Sequence, residues 1–158
     1  MKTIVFAALM MLTSAFSMAQ ISSEATYENC SIGYKFLTGQ FDVPQDFGKA
    51  MKYFTIASKG TGDFKWQAIT YIGYCYFNGL GVPQDRQYAV KLFEQSAPMG
   101  NEFAQLYLYY LYWNGEYVKK DKAKAEYWWN QCKEYFDVEQ MKNYIIELYH
   151  PEVKFRGY

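Results

Sequence analysis

The chain has 158 residues, carries 16 basic and 16 acidic side chains, and is 21% aromatic. Its length predicts a single domain. The balanced charge argues against a nucleic-acid-binding protein, because such proteins need massed positive charge, and no basic amphipathic segment points to a membrane surface.

The first segment of the chain is typical of a secretory signal peptide. Lys2 is its only charged residue, the run from Ile4 to Ala15 is almost entirely apolar, and Ser17-Met18-Ala19 places small residues where signal peptidase cleaves. The apolar run is too short to span a bilayer of about 30 Å. We therefore predict that residues 1–19 are removed and that the mature protein, from near Gln20, is exported to the bacterial periplasm or beyond. An uncleaved anchor is the alternative.

Three related segments follow the leader. They read IGYKFLTGQFDVPQDFGKAMKYFTIAS from Ile32, IGYCYFNGLGVPQDRQYAVKLFEQSA from Ile72 and LYYLYWNGEYVKKDKAKAEYWWNQC from Leu108. Equivalent positions are separated by 40 and then by 36 residues, a period typical of arrays in which each unit buries its face on its neighbours. The repeats span approximately residues 28–62, 66–101 and 102–135.

Each copy contains the start and stop signals of two consecutive helices. An apolar i,i+4 pair marks one face of the first helix, and a glycine then ends that helix as a left-handed C-cap. An aspartate precedes the second helix as an N-cap that accepts free amide protons. The second helix has small residues seven positions apart, which allow close helix packing. The glycines are Gly39, Gly79 and Gly115, and the aspartates are Asp46, Asp85 and Asp121.

This pattern resembles the Sel1-like repeat, a relative of the tetratricopeptide repeat. The second copy matches it best, at Ala68, Ile72-Gly73, Tyr76, Gly79, Gly81-Val82, Asp85, Ala89 and Ser96-Ala97. The resemblance covers roughly residues 28–135. It implies an all-α fold, an α/α right-handed superhelix (solenoid) of about three helical hairpins with a concave groove, and a role in binding other proteins.

Two residues depart from the repeat pattern in the third copy. Tyr109 replaces the glycine found at Gly33 and Gly73, and Tyr117 replaces Gly81. We predict that both substitutions loosen or reshape the contact between the second and third units.

The sequence changes character after the third copy. Met141, Ile145 and Leu148 recur at helical spacing, and Pro151 ends the segment. We predict a capping helix over residues 136–150 that covers the open face of the last hairpin, followed by a tail over residues 151–158. Residues 20–158 are then one repeat domain.

The chain has three cysteines, Cys30, Cys75 and Cys132, all within apolar stretches. An odd number allows at most one internal disulfide. The apolar surroundings favour buried free thiols. A bridge between two of the three is the alternative.

A set of large apolar residues recurs on the first helix of each copy. The set consists of Tyr34, Leu37, Tyr74, Phe77, Tyr110 and Trp113, called the aromatic ladder below. Its tyrosines come two residues after a buried Ile or Leu, and two helical steps turn by about 200°, so they point away from the buried face. We predict that the aromatic ladder lines the groove and binds a segment of a partner protein, since Tyr and Trp are favoured hot-spot residues. The alternative is that the ladder packs against the neighbouring unit.

The sequence offers no pattern for catalysis or metal binding. His150 is the only histidine, no nucleophile motif accompanies it, and no residues have metal-ligand spacing. We therefore predict a non-catalytic protein-binding module without cofactor or metal, acting as an adaptor or as a toxin-neutralising immunity protein. The alternative is a glycan- or peptide-capturing accessory protein of the cell envelope, with Tyr110 and Trp113 as stacking platforms for sugars.

Overall fold

A computed structural model describes residues 21–136, which form six α-helices and two single-turn 3-10 helices. The α-helices are α1 (Ser23–Thr38), α2 (Phe47–Ala57), α3 (Asp63–Asn78), α4 (Arg86–Ser96), α5 (Glu102–Asn114) and α6 (Lys122–Cys132). The 3-10 helices, Ala97–Met99 and Lys133–Tyr135, directly follow α4 and α6. No strand occurs among residues 21–136. The predicted signal peptide, nearly all of the predicted capping helix and the tail lie outside the described residues.

The helix start and stop residues predicted from the sequence are confirmed in all three hairpins. Asp46, Asp85 and Asp121 each accept the backbone N–H three residues further on, at 2.9, 2.8 and 3.0 Å. Gly39, Gly79 and Gly115 follow the first helices with φ of 70°, 72° and 77°. This left-handed conformation favours glycine and satisfies a carbonyl of the last turn. The sequence therefore places both ends of each loop correctly.

The first two hairpins are closed by a phenylalanine packed on a glycine. Phe54 and Phe93 are fully buried. A Cβ atom on Gly33 would lie 2.7 Å from Cδ1 of Phe54, and one on Gly73 would lie 2.7 Å from Cε1 of Phe93. Carbon atoms repel strongly at that distance, so these two glycines provide the space into which the rings pack.

Consecutive hairpins stack through the second helix of one unit and the first helix of the next. Phe54 contacts Tyr71 with ring centroids 4.9 Å apart, and Phe93 contacts Tyr107 at 4.6 Å. Helices α1 and α3 also pack directly against each other, whereas α3 and α5 are in much sparser contact. The result is the predicted all-α solenoid, in which the second and third units pack less closely than the first and second.

The three cysteines are free and buried. Burial raises the pKa of the Cys30 and Cys75 thiols to about 12 and that of Cys132 to about 11. Because the thiolate is the reactive form, these side chains act as small apolar core residues. The prediction of buried free thiols is confirmed, and no bridge joins them.

Among residues 21–136, no helix has the combination of length and apolar character that a membrane span requires.

Candidate functional site

The structure separates the aromatic ladder into buried and accessible members. Leu37, Tyr74 and Phe77 are 2%, 4% and 0% exposed. Tyr34 and Tyr110 are partly buried, and Trp113 is 39% exposed. The prediction that all six side chains face an open groove is therefore corrected for the three buried ones. Phe77 contacts a ring of the next unit, as the alternative describes for the ladder.

The burial of Phe77 has a specific physical cause. Its ring contacts Phe93 at a centroid distance of 6.4 Å and Tyr117 at 5.6 Å, and the Arg86 guanidinium lies 5.3 Å from its centroid. Tyr117 belongs to the loop of the next unit. Helical spacing shows which residues share a face of α3, but it does not show that the following unit closes over that face.

An open cleft lies instead between α1 and α3. It encloses about 230 Å³ and is lined by Tyr27, Cys30, Ser31, Tyr34, Phe64, Gln67 and Tyr71, called the aromatic cleft below. Two ring pairs contribute to its walls. Tyr27 and Phe64 meet edge to face with centroids 4.7 Å apart, and Tyr34 and Tyr71 are tilted at 5.5 Å. Tyr27 and Phe64 are 50% and 37% exposed, so their rings are accessible from solvent.

Polar groups also line the aromatic cleft. The Gln67 amide nitrogen donates to the Tyr71 hydroxyl at 3.3 Å, and the Cys30 thiol lies 4.0 Å from the Gln67 amide oxygen. Both contacts are long, so the amide can exchange them for a ligand's peptide group at little cost. Cys30, with its raised pKa, stays protonated at neutral pH and offers no nucleophile.

A second cavity of about 340 Å³ adjoins the aromatic cleft and shares Phe64 and Gln67 with it. It is lined by Asp63, Phe64, Trp66, Gln67, Met99, Gly100, Asn101 and Glu102, called the acidic cavity below. Asp63 and Glu102 are the first residues of α3 and α5, where a negative charge interacts favourably with the helix dipole. No lysine or arginine lines either of these two cavities.

A third cavity, of about 680 Å³, lies at the loop of the third unit. It is lined by Tyr112, Val118, Lys119, Lys120, Asp121, Lys122 and Lys124. The Tyr112 hydroxyl donates to Glu94 at 2.6 Å, and burial together with this carboxylate raises the pKa of Tyr112 to about 12. The Lys124 ammonium lies 4.9 Å from the centroid of the same ring. Tyr112 is thus held by structural contacts, and the surrounding lysines are exposed at the loop surface.

Within the described part of the chain, no group of three or more His, Cys, Asp or Glu side chains is arranged to hold a metal ion. His150 lies outside the described residues. The aromatic cleft and the acidic cavity are lined by aromatic and polar side chains.

Sequence reasoning missed Tyr27, Phe64 and Gln67. Phe64 has no counterpart in the other units, because the equivalent positions are Glu24 and Gly100. A search for recurring residues cannot find a site built from one irregular residue. The signal in the sequence was an aromatic residue at a position where the other two units have Glu24 and Gly100.

The fold and these surfaces define an α-solenoid of tandem helical hairpins. The Sel1 repeat model matches residues 30–61, 66–101 and 103–131, which is more than half of the chain. The chain belongs to the Sel1 repeat family. Proteins of this family generally mediate protein–protein interactions and are typically non-catalytic.

Two solved structures are similar to this chain. A Sel1 repeat protein from Oxalobacter formigenes superposes with a TM-score of 0.65 at 26% identity, over 80% of this chain and 50% of that one. The protein c5321, a protective antigen of uropathogenic Escherichia coli with an SLR fold, gives 0.62 at 28% identity, over 80% and 26%. DAP3-binding cell death enhancer 1 of Rattus norvegicus is 47% identical over 60 residues, or 38% of this chain and 11% of that protein. The chain spans half or less of the length of each relative.

Proposed function

We propose that this protein is a non-catalytic interaction module that binds a segment of another protein across its first helices, with the aromatic cleft as the main anchor. The observation that carries the proposal is a cavity of about 230 Å³ between α1 and α3 with four aromatic rings in its lining. Small-molecule pockets usually enclose about 300–1,000 Å³, so this volume suits one or two side chains of a protein partner better than a separate ligand. Accessible Tyr rings are also favoured binding hot spots.

The accessible members of the aromatic ladder extend this surface along the array. Tyr34 is part of the cleft itself, and Trp113 is exposed on α5. A partner segment anchored between α1 and α3 can therefore continue toward the third unit. The three buried ladder residues support this surface from beneath and take no direct part in binding.

The glycan alternative has less support from the same geometry. Sugar stacking needs a flat ring with an open face. The two accessible cleft rings meet edge to face at 62°, and the Lys122 ammonium lies 5.4 Å from the Trp113 ring centroid. These contacts reduce the open ring area that a sugar would need.

We also propose that the module acts outside the cytoplasm, either as an envelope adaptor or as an immunity protein that neutralises a toxin. This rests on the signal-peptide pattern of residues 1–19. Detection of the protein beginning near Gln20 in a periplasmic or culture fraction, by N-terminal sequencing, would support export. Recovery of the intact leader in the cytoplasm would contradict it.

The anchor role is tested by affinity capture with matched variants. Tyr27→Ala combined with Phe64→Ala removes the two accessible rings, while Tyr127→Ala removes a ring that is 56% exposed on α6 and serves as the control. We expect the affinity of the double variant for the partner to be at least about thirtyfold lower than that of the wild type, the effect of removing a hot spot worth about 2 kcal/mol. The helical circular dichroism should be unchanged. Equal capture by the double variant and the wild type would show that the cleft is not the anchor.

A further inference from the structure

The aromatic cleft and the acidic cavity share Phe64 and Gln67, and together they form one continuous recognition surface without cationic lining. The cleft contributes ring faces and edges from four aromatic residues. The acidic cavity contributes the carboxylates of Asp63 and Glu102. An open ring face attracts a cation through its quadrupole, although a ring edge does not, and a carboxylate attracts a cation through its formal charge.

The carboxylates of the acidic cavity lie near the positive ends of two helix dipoles and near one ammonium. Asp63 and Glu102 begin α3 and α5, whose N-termini each carry roughly half a positive charge. Counting side-chain charges alone, the two carboxylates exceed the one ammonium that rests on a ring of this cavity, that of Lys65. The one lysine nearby in sequence, Lys65, places its ammonium 4.9 Å from the Trp66 ring centroid. Trp66 lines the same cavity, so this ring already has a cation from the chain itself, and the rings open to a partner's cation are those of the cleft.

Cations rest on aromatic rings at several other points of the array. The pairs are Lys35 with Phe41, Lys49 with Phe36, Arg86 with Phe77 and with Tyr117, Lys122 with Trp113, and Lys124 with Tyr112. Within residues 21–136, no lysine or arginine lies over the rings of Tyr27 or Phe64. An incoming cation would therefore meet no lysine or arginine of residues 21–136 at these two accessible rings, which differ from the exposed rings of Tyr88, Tyr127 and Tyr135 in lining a cleft.

We propose that the partner segment is basic: a Lys or Arg side chain enters the aromatic cleft, and a second cation faces Asp63 and Glu102. This inference rests on the proposed function and names the chemical class of its partner. The cleft supplies cation–π attraction and packs the aliphatic part of the side chain, while the Gln67 amide is placed to bond the peptide backbone. The adjoining carboxylates add attraction that depends on ionic strength.

The test compares two fluorescent ten-residue peptides of Gly and Ser that differ only at two central positions. One peptide carries lysines there, and the other carries norleucines of nearly equal shape without the charge. Binding to the purified protein is measured by fluorescence anisotropy at low salt. Cation–π contacts are worth about 0.5–2 kcal/mol, so we expect the lysine peptide to bind about 2- to 30-fold more tightly.

Three variants separate the two halves of the surface. Tyr27→Leu with Phe64→Leu keeps apolar bulk but removes the rings, and should abolish the preference for lysine over norleucine. Asp63→Asn with Glu102→Gln should weaken the lysine peptide alone and flatten its salt dependence. Tyr127→Leu on α6 is the control and should change neither affinity.

The outcomes distinguish failure of this inference from failure of the proposed function. If norleucine binds as well as lysine and both depend on Tyr27 and Phe64, the basic partner is overturned while the cleft remains the anchor. If neither peptide responds to those two substitutions, both proposals fail. If Lys154→Gln with Arg156→Gln raises the affinity for the lysine peptide, the chain's own C-terminal segment is the occupant, and the assignment to a separate partner is overturned.

Discussion

Tyr109 and Trp129 pack against each other with ring centroids 5.3 Å apart, at the positions where the first two hairpins pair a glycine with a phenylalanine. Phe54 and Phe93 are fully buried in those hairpins, but Trp129 is partly exposed. A Tyr side chain fills the space that glycine leaves open, so the larger ring moves toward the surface. The third hairpin therefore uses a ring–ring contact where the others use ring-on-backbone packing.

This difference yields a prediction about the regular hairpins. Gly73→Ala places a Cβ 2.7 Å from Cε1 of Phe93, whose ring is fully buried and contacts the rings of Phe77 and Tyr107. We expect a loss of about 1–3 kcal/mol in the free energy of unfolding, measured by urea denaturation followed by circular dichroism. Gly48→Ala in α2 is the matched control, because its nearest neighbouring atom is 3.4 Å away, and alanine there should be neutral or slightly stabilising. Equal effects of the two substitutions would contradict the packing argument.

The junction between the second and third units contains a coupled pair, Arg86 and Tyr117. The Arg86 guanidinium lies 5.1 Å from the Tyr117 ring centroid and donates a hydrogen bond to the Tyr117 hydroxyl. At the preceding junction a Cβ atom on Gly81 would lie 2.7 Å from the carbonyl carbon of Phe47. A tyrosine and an arginine thus replace a glycine and a phenylalanine. In a double-mutant cycle of Arg86→Ala and Tyr117→Ala, we expect a coupling free energy of about 0.5–1 kcal/mol. The effects of Arg86→Ala and the distant Tyr127→Ala on the free energy of unfolding should be additive. A coupling free energy of zero for the first pair would show that the contact does not contribute to stability.

Regular features of the fold follow directly from the sequence, and irregular contacts do not. The cap residues act through bonds to neighbours within a few positions, so their spacing is sufficient to place them. The Tyr117 contact depends on Arg86 in a different unit, and nothing in the local sequence of either residue indicates the other. The predicted reshaping of this junction is confirmed for Tyr117, although its contact with Arg86 became visible only in three dimensions. The contact of Tyr109 with Trp129 lies within the third hairpin.

The candidate site was predictable only in part for a related reason. Helical periodicity included Tyr34 in the site, but it did not separate buried from accessible positions on α3. Ile72 and Tyr76 of the predicted buried face are only partly buried. Periodicity within one helix gives no information about which other helices cover its opposite side. A first helix in this array has neighbours from its own hairpin and from adjacent units, so Tyr74 and Phe77 are buried although their angular position suggested exposure.

The pH dependence of stability should reflect the cap at Asp46. Hydrogen bonding from the Lys49 backbone N–H lowers the pKa of the Asp46 carboxyl below its ordinary value. A lowered folded-state pKa contributes stability that is present above the unfolded pKa and is lost as pH falls through the folded pKa. Asp46→Asn keeps a good cap without a titrating group. We expect the urea midpoint of the wild type to fall more than that of the variant between pH 7 and pH 3. Equal decreases would show that Asp46 does not contribute to the pH dependence of stability.

The buried thiols give a prediction about chemical reactivity. Burial raises the pKa of Cys30 and Cys75 to about 12, so almost no thiolate exists at pH 7.5 and access is restricted. We expect iodoacetamide to leave all three cysteines unmodified in the folded protein and to modify all three in urea, as measured by mass spectrometry. Rapid modification of Cys30 alone would show that the aromatic cleft opens more widely than its described geometry.

The last prediction separates core tyrosines from binding tyrosines. Tyr74 is 4% exposed, whereas Tyr27 is 50% exposed at the edge of the aromatic cleft. Truncating a fully buried aromatic side chain costs about 3–5 kcal/mol, because packing is lost and a cavity remains. We therefore expect Tyr74→Ala to lower the free energy of unfolding by about that amount, and Tyr27→Ala by less than about 1 kcal/mol. Partner binding should respond in the opposite order when each variant is measured under conditions that keep it folded. If the Tyr74→Ala protein is stable but specifically fails to bind the partner, Tyr74 belongs to the binding surface and the aromatic cleft is not the anchor.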